Sequence, residues 1–230
     1  QIAHTSKNLV APERCLVSIE AACEMPLAEG LAQEKAGFAE LLDTPQSRAG
    51  RHLFFAEREC TKVPGATRAD RPRDIASVAV IGAGTMGRGI AIAFLQAGYR
   101  VTFLETTQGA LEQGLEKVRE HFQRAAQKGR LSADRAEAIA ANATGTLSYA
   151  GLAKADLIIE AAFESMNVKR QIFASLDLHA KPGAILASNT STLDLDEIAA
   201  VTSRPEDVIG LHFFSPANVM RLLEVVRGAK

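Results

Sequence analysis

The chain has 230 residues, of which 47% are hydrophobic and 23% are charged, and its formal net charge is -1. This length is sufficient for one or two domains with a buried core, and the composition is that of an ordinary globular protein. The near-zero net charge excludes a basic excess directed at nucleic acid or an anionic membrane, although a local basic patch could still bind a phosphorylated small molecule.

Cysteine usage and the N-terminal residues bear on the compartment. Cys15, Cys23 and Cys60 fit no metal-binding or redox spacing, and their odd number argues against a disulfide framework, which indicates buried or inert thiols. No secretory signal follows Gln1, and no apolar run is long enough to predict a membrane span. We therefore predict a soluble intracellular protein located in the cytoplasm. Because the chain lacks an initiator methionine, we expect it to be cut from something longer.

The first 62 residues show apolar residues at helical spacing, without a strand pattern of comparable strength. Pro12 precedes the amphipathic stretch ERCLVSIEAACEM, and LAEGLAQEKAGFAELL follows Pro26. Thr44 and Pro45 are suitable as the N-cap and first helical position of QSRAGRHLFFAEREC. Residues 1–62 are therefore predicted to form three helices that belong to an appendage rather than to a self-sufficient domain.

The next segment, KVPGATRADRPRD, carries two prolines, a glycine and many charges, which predicts a linker over residues 63–75. From residue 76 onward the pattern changes to short apolar runs separated by helical stretches. The runs are SVAVIG, YRVTFLE, ADLIIEAAF, GAILASN, VIGLHFF and RLLEVV. Strands that alternate with helices predict an α/β fold with a doubly wound parallel sheet over residues 76–230.

The loop after the first predicted strand has the G-x-G-x-x-G spacing, with Gly82, Gly84 and Gly87. It follows a strand and opens a helix, which is the context that a dinucleotide-binding turn requires. Glu105 ends the next strand, where a carboxylate accepts hydrogen bonds from ribose hydroxyls and repels a 2′-phosphate. These residues predict a Rossmann-like domain that binds NAD in preference to NADP, and a purely structural turn is the alternative.

Polar residues at the strand ends are candidates for chemistry, because an open parallel sheet binds ligands at its carboxyl edge. His212 ends one apolar strand, and Glu224 lies within the apolar run LLEVV, where an unpaired carboxylate would be costly to bury. A strand–turn–strand path would place them together as a general base with an orienting carboxylate. A structural histidine is the alternative.

Four ordered motifs carry a family resemblance: VAVIGAGTMGRGIA, DLIIEAAFE, SNTSTL and HFFSPANVMRLLEVV. Over residues 77–230 the chain closely resembles the NAD-binding domain of L-3-hydroxyacyl-CoA dehydrogenases. The preceding helical stretches look like the linker helices of multifunctional fatty-acid β-oxidation proteins, in which an enoyl-CoA hydratase/isomerase module precedes the dehydrogenase. The resemblance therefore implies an internal piece that lacks most of the hydratase and the helical C-terminal dehydrogenase domain, with the remaining modules of the same polypeptide as its partners.

The resemblance also implies roles for individual residues. His212 becomes the general base, Glu224 its partner, and Ser191 the hydrogen-bond donor to the 3-oxygen of a 3-hydroxyacyl-CoA substrate. The implied NAD-binding positions are Gly82, Gly84, Thr85, Met86, Gly87, Glu105, Glu164 and Lys169, of which the last two contact the nicotinamide half. Lys128 falls where the family places a CoA-phosphate contact, and a solvated lysine on a polar helix is the alternative. The implied reaction oxidises 3-hydroxyacyl-CoA to 3-ketoacyl-CoA and needs no metal.

Two further functions remain open at this point. One is a non-catalytic NAD-binding module, which a large separation between His212 and Glu224 would favour. The other is a stand-alone 3-hydroxybutyryl-CoA dehydrogenase, although such an enzyme would begin close to the first strand and would not carry the helices before residue 62.

Overall fold

The computed structural model describes residues 8–67 and 69–230, so the first seven residues of the predicted helical segment lie outside the described part. The chain divides into two compact units, residues 1–72 and residues 73–230, and each has its own architecture. Within the described residues, no helix is long and apolar enough to cross a bilayer.

The first unit contains three helices, as the spacing predicts. They are α1 (Ala11–Glu24), α2 (Leu27–Leu42) and α3 (Pro45–Glu59). The side chain of Thr44 accepts a hydrogen bond from the backbone N–H of Ser47 and caps α3, which confirms the predicted cap. Among the described residues of this unit only Ala21 is buried, whereas Leu27 and Phe38 are 79% and 65% exposed. The three cysteines are exposed rather than buried. The apolar faces of these helices therefore enclose almost no core within this unit.

The second unit is built on a seven-stranded sheet. Its strands are β1 (Ser77–Ile81), β2 (Arg100–Leu104), β3 (Ala143–Thr146), β4 (Leu157–Glu160), β5 (Ile185–Ser188), β6 (Val208–Phe213) and β7 (Leu223–Arg227). The order across the sheet is β3-β2-β1-β4-β5-β6-β7, and all neighbours are parallel except β6 and β7. The predicted α/β class and parallel sheet are confirmed. The antiparallel strand β7 follows β6 by the strand–turn–strand path that the sequence predicts, whereas the edge strand β3 was not predicted because ATGT carries no apolar run.

Helices connect the strands and cover both faces of the sheet. They are α4 (Thr85–Gln96), α5 (Gln108–Gln127), α6 (Ala133–Ala141), α7 (Met166–His179) and α8 (Leu195–Ala199). Successive residues of β1 alternate between two apolar clusters: Val78 and Val80 belong to one, and Ala79 and Ile81 to the other. Because both clusters are buried, the central strands are apolar on both faces, as parallel strands between helices must be.

The strand order reverses between β1 and β4. In sheets of this kind ligands bind outside the carboxyl ends of the strands, at the point where the order reverses. The carboxyl ends of β1, β2, β4, β5 and β6 all lie at one edge of the sheet, because these strands are parallel. That edge carries most of the predicted site residues.

Candidate functional site

Gly82 makes the turn at the end of β1 in a conformation that favours glycine. Its φ is +93°, in the left-handed region, and a Cβ there would lie 2.9 Å from the carbonyl oxygen of Ala161. Its backbone N–H donates to the carbonyl of Leu104 at 2.9 Å, which ties the turn to β2. The fold itself therefore requires glycine at this position.

The other two glycines of the motif differ in what requires them. A Cβ on Gly87 would lie 1.9 Å from the carbonyl oxygen of Gly82, so glycine lets α4 pack against the turn. Gly84 is the N-cap of α4 with φ -67°, and a Cβ on it would meet none of the described residues within 4 Å. Thr85 and Met86 open α4, and Met86 packs partly buried against the core. Open space beside Gly84 at a helix N-terminus fits an approaching pyrophosphate.

Glu105 follows β2 and lies beside the glycine turn. Its Oε1 accepts a hydrogen bond from the backbone N–H of Ala83 at 2.6 Å, and its Oε2 accepts one from Thr106 at 3.0 Å. These two bonds orient the carboxylate at the mouth of a cavity of about 550 Å³ whose lining also includes Gly82, Tyr149 and Phe163. The turn, the carboxylate and the partly apolar cavity are together suited to the adenosine half of a dinucleotide.

A buried ion pair stands at the end of β4. Glu160 is fully buried and Lys169 on α7 is 1% exposed. The Lys169 ammonium donates to both carboxylate oxygens of Glu160 at 2.8 Å, and the Ser188 hydroxyl donates to the same carboxylate at 2.7 Å. The backbone N–H of Ala162 supplies another hydrogen bond, at 2.8 Å. The bonds from Lys169 and Ser188 join β4 to α7 and β5.

Glu164 lies next to this pair and is 41% exposed. Its carboxylate accepts hydrogen bonds from the Thr190 hydroxyl at 2.5 Å and from the backbone N–H of Ser191 at 3.1 Å. It also forms an ion pair with the Lys169 ammonium at 3.1 Å. Partial burial alone would raise the pKa of the Glu164 carboxyl, but the hydrogen bonds from Thr190 and Lys169 outweigh it and hold the pKa below its ordinary value. The predicted residues Glu164, Lys169 and Ser191 are thus brought together.

His212 and Glu224 face each other across β6 and β7, whose antiparallel register places the two residues directly opposite. The Nδ1 atom of His212 lies 2.8 Å from Oε2 of Glu224, and their side chains are 21% and 52% exposed. The carboxylate is the acceptor, so Nδ1 carries the hydrogen and Nε2 keeps its lone pair. Asn189, two residues before Ser191, accepts the backbone N–H of Phe213 at 2.9 Å. That bond ties the loop carrying Ser191 to the strand carrying His212.

Lys128 lies apart from these groups, at the C-terminal end of α5, in a cleft of about 700 Å³ with many cationic side chains. The charged and imidazole side chains that line the cleft are Arg88, Lys117, His121, Arg124, Lys128, Arg130 and Arg135. Glu120 pairs with Lys117 and with Arg124 at 3.0 Å, which offsets part of this charge. Burial, together with the charge of Arg124, lowers the pKa of His121.

Sequence reasoning missed two parts of this edge. Glu160 was given no role, because its position after the apolar residues of LIIE does not reveal its buried partner. The cationic cleft did have a signal, because Lys117, His121, Arg124 and Lys128 recur at helical spacing on one face of α5. In the described residues there is no group of three or more His, Cys, Asp or Glu side chains that could hold a metal.

Comparisons with known proteins agree with this architecture. Residues 77–230 match the family model of the 3-hydroxyacyl-CoA dehydrogenase NAD-binding domain. A glyoxysomal fatty acid β-oxidation multifunctional protein of Brassica napus is 39% identical over 228 residues, which is 99% of this chain and 31% of that protein. A peroxisomal bifunctional enzyme of Cavia porcellus is 42% identical over 223 residues, 94% of this chain and 30% of that protein. The chain therefore spans about a third of the length of these curated relatives.

Among solved structures, the 3-hydroxybutyryl-CoA dehydrogenase of Escherichia coli has a TM-score of 0.66 and 38% identity, covering 68% of this chain and 33% of that one. The names of the curated relatives also correct one prediction. They are glyoxysomal or peroxisomal proteins, so the predicted cytoplasmic location is wrong. That prediction used the lack of a secretory signal, which says nothing about addresses read by other receptors.

Proposed function

Because the chain belongs to the 3-hydroxyacyl-CoA dehydrogenase family through its NAD-binding domain, we propose that it provides the cofactor site and the general base of an enzyme that oxidises 3-hydroxyacyl-CoA to 3-ketoacyl-CoA. The observation that carries the proposal is the hydrogen bond of 2.8 Å between His212 and Glu224 at the carboxyl end of β6. The glycine turn and Glu105 lie at the same edge of the sheet, so base and cofactor would share one cleft.

The residues at this edge fit NAD in number and kind. Gly82 and Gly87 shape the turn, the space beside Gly84 admits the pyrophosphate, and Glu105 would accept hydrogen bonds from the adenosine ribose. Glu164 would face the nicotinamide half. The negative charge of Glu105 would repel a 2′-phosphate, which favours NAD over NADP. When bound, NAD supplies the two-electron acceptor for the oxidation.

The chemistry of the chain's own residues is proton transfer. The Nε2 lone pair of His212 takes the proton from the 3-hydroxyl group as its oxygen becomes the 3-keto oxygen. Glu224 fixes the imidazole tautomer through Nδ1 and stabilises the imidazolium that results. The Ser191 hydroxyl would hydrogen-bond the substrate 3-oxygen, from a loop held by Glu164 and by Asn189.

The cationic cleft around Lys128 would hold the phosphates of the CoA portion. Arg88, which lines this cleft, also donates to the carbonyl of Ala83 in the glycine turn at 2.9 Å. The cleft and the cofactor turn are therefore neighbours on α4. Several cations that converge on one cleft suit a ligand with several phosphate charges.

The larger setting that we propose is a multifunctional β-oxidation enzyme of the peroxisome, with an enoyl-CoA hydratase/isomerase module in the same polypeptide. Both curated relatives match through the first unit as well as the second. The E. coli dehydrogenase structure covers only about two thirds of this chain. These differences in coverage favour the multifunctional setting over a stand-alone dehydrogenase.

The test is formation of NADH from (S)-3-hydroxybutyryl-CoA by the complete polypeptide, with the helical C-terminal dehydrogenase domain that the resemblance implies, and by its His212→Ala variant. We expect the substitution to lower turnover by about 10²- to 10⁴-fold, because it removes a general base, while the dissociation constant for NAD stays nearly the same. His179→Ala, at an exposed histidine that ends α7, is the matched control and should retain turnover. Unchanged turnover in the His212→Ala variant would refute the mechanism, and NAD binding with no turnover by the complete polypeptide would favour a non-catalytic module.

A further inference from the structure

The ammonium group of Lys169 is buried between two carboxylates. A lysine ammonium carries three N–H donors. The Lys169 ammonium donates to both oxygens of Glu160, at 2.8 Å each, and forms an ion pair with Oε2 of Glu164 at 3.1 Å. The side chain is only 1% exposed. Lys169 therefore connects the buried carboxylate of Glu160 to Glu164.

Glu160 is fixed even more completely. It is fully buried, and the hydrogen bonds from Lys169, Ser188 and Ala162 leave its carboxylate a single position. Burying an ion pair costs desolvation energy, so such a pair is weak evidence of stabilisation by itself. The connection to Glu164 gives this pair a second effect: it holds in place a carboxylate that is 41% exposed at the ligand-binding edge.

The charges of the three side chains do not cancel. Glu160 and Glu164 are carboxylates and Lys169 is an ammonium, so the cluster has one net negative charge. Because Glu160 and Lys169 form a buried pair of opposite charges, the excess negative charge lies on Glu164, at the ligand-binding edge. The nicotinamide ring is positively charged in NAD⁺ and neutral in NADH.

We propose that Glu160, Lys169 and Glu164 form an electrostatic unit that makes the site prefer the oxidised cofactor over the reduced one. Glu164 is the member that contacts the cofactor, and Glu160 and Lys169 are positioning residues that act through it. The inference rests on the proposed function, in which Glu164 faces the nicotinamide half. In a site used for oxidation, this preference promotes loading with NAD⁺ and release of NADH.

The experiment measures the dissociation constants of NAD⁺ and NADH for a series of variants that differ in cluster charge. Glu164→Gln makes the cluster neutral, Lys169→Met gives it two negative charges, and the double variant Glu160→Gln with Lys169→Met restores one. We expect the preference for NAD⁺ to change by about three- to tenfold per unit of charge. It should fall in Glu164→Gln, rise in Lys169→Met and return in the double variant to within about twofold of the unaltered value.

Glu206→Gln is the matched control, since it makes the same chemical change at an exposed residue near the amino end of β6, at the opposite edge of the sheet. Its preference for NAD⁺ should equal that of the unaltered protein. Neither Glu164→Gln nor the double variant leaves a buried charge without a counter-charge, so these two decide the matter even where Lys169→Met does not fold. A preference that is the same in Glu164→Gln as in the unaltered protein would overturn the inference alone. Failure of the unaltered protein to bind either form would overturn the proposed function as well.

Discussion

Two acid–base pairs stand at the same edge of the sheet, and their surroundings differ sharply. The Glu160–Lys169 pair is 0% and 1% exposed, whereas the His212–Glu224 pair is 21% and 52% exposed. Within the first pair, protein groups donate to both carboxylate oxygens of Glu160, and the Lys169 ammonium contacts Glu160 and Glu164. In the second, Nδ1 of His212 is bound by Glu224, and the proposed mechanism assigns the substrate proton to the other ring nitrogen.

The difference in burial separates a charged group that is satisfied within the fold from one that is accessible to a ligand. A buried charge must be satisfied by the protein itself, because water cannot reach it. A half-exposed charge has no such requirement, because water can solvate it, so it is free to contact a ligand. The location of β7 at the edge of the sheet is what leaves Glu224 accessible.

The largest difference that we expect between the two pairs is in stability, and its absence would contradict the comparison. Glu160→Ala should lower the free energy of unfolding by about 3 to 5 kcal/mol, because it leaves the Lys169 ammonium buried with only Glu164 as counter-charge. Glu224→Ala should cost about 1 kcal/mol or less, since a solvated pair contributes little. Urea unfolding of the two variants beside the unaltered protein measures both quantities.

We expect the opposite order for turnover: Glu224→Ala should lose more turnover than Glu160→Ala, although it should lose less stability. Loss of the charge-assisted bond to His212 in Glu224→Ala should slow NADH formation by about 10- to 100-fold, from the strength of such a bond. If Glu224→Ala proved as destabilised as Glu160→Ala, the distinction drawn from burial would be wrong.

A third carboxylate, at the opposite end of β4, extends the comparison to pH. Asp156 accepts hydrogen bonds from Lys181 and from the backbone N–H groups of Ala76 and Ser77. The bond from Lys181, followed by these N–H bonds, holds the pKa of Asp156 far below its ordinary value. A folded-state pKa below the unfolded one contributes stability that is present above the unfolded pKa and is lost as the pH falls.

We therefore expect Asp156→Asn to lower the free energy of unfolding by about 2 kcal/mol at neutral pH. The gap from the unaltered protein should narrow as the pH falls below about 4, where an unfolded aspartate takes up its proton. Asp74→Asn, at an exposed position before β1, is the control and should shift stability little. A gap that stays constant down to acid pH would show that Asp156 is not stabilised as an anion.

The smallest expected effect is at the glycine turn. There too, a residue can matter for ligand binding and little for stability, although no charge is involved. Gly84→Ala should cost about 1 kcal/mol or less in stability, because the added Cβ meets open space at a helix N-cap. It should nevertheless weaken NAD binding about tenfold, since that space is where the pyrophosphate would approach. Calorimetric titration with NAD checks this, with Gly109→Ala in the first turn of α5 as the control. Equal affinity in Gly84→Ala would contradict the fit of the turn to NAD.

Much of this molecule could be predicted from patterns that are local in the sequence. Apolar runs such as SVAVIG, separated by helical stretches, predicted the parallel sheet, because both faces of a central strand must be apolar. The spacing of Gly82, Gly84 and Gly87 after a strand predicted where the turn lies. The twelve-residue separation of His212 and Glu224, each in an apolar run, predicted that two adjacent strands would bring them together.

Other features depended on elements that are distant in the chain. The strand β3 could not be predicted from the sequence, because an edge strand of small residues shows no apolar pattern. The contacts of Lys169 on α7 with Glu160 on β4 and with Glu164 in the following loop depend on how these elements pack, and the sequence shows none of them. The cleft around Lys128 gathers cations from α4, α5 and the residues after α5. Sequence periodicity reports which side chains avoid water, whereas the partner of each polar atom is decided only when separate elements pack together.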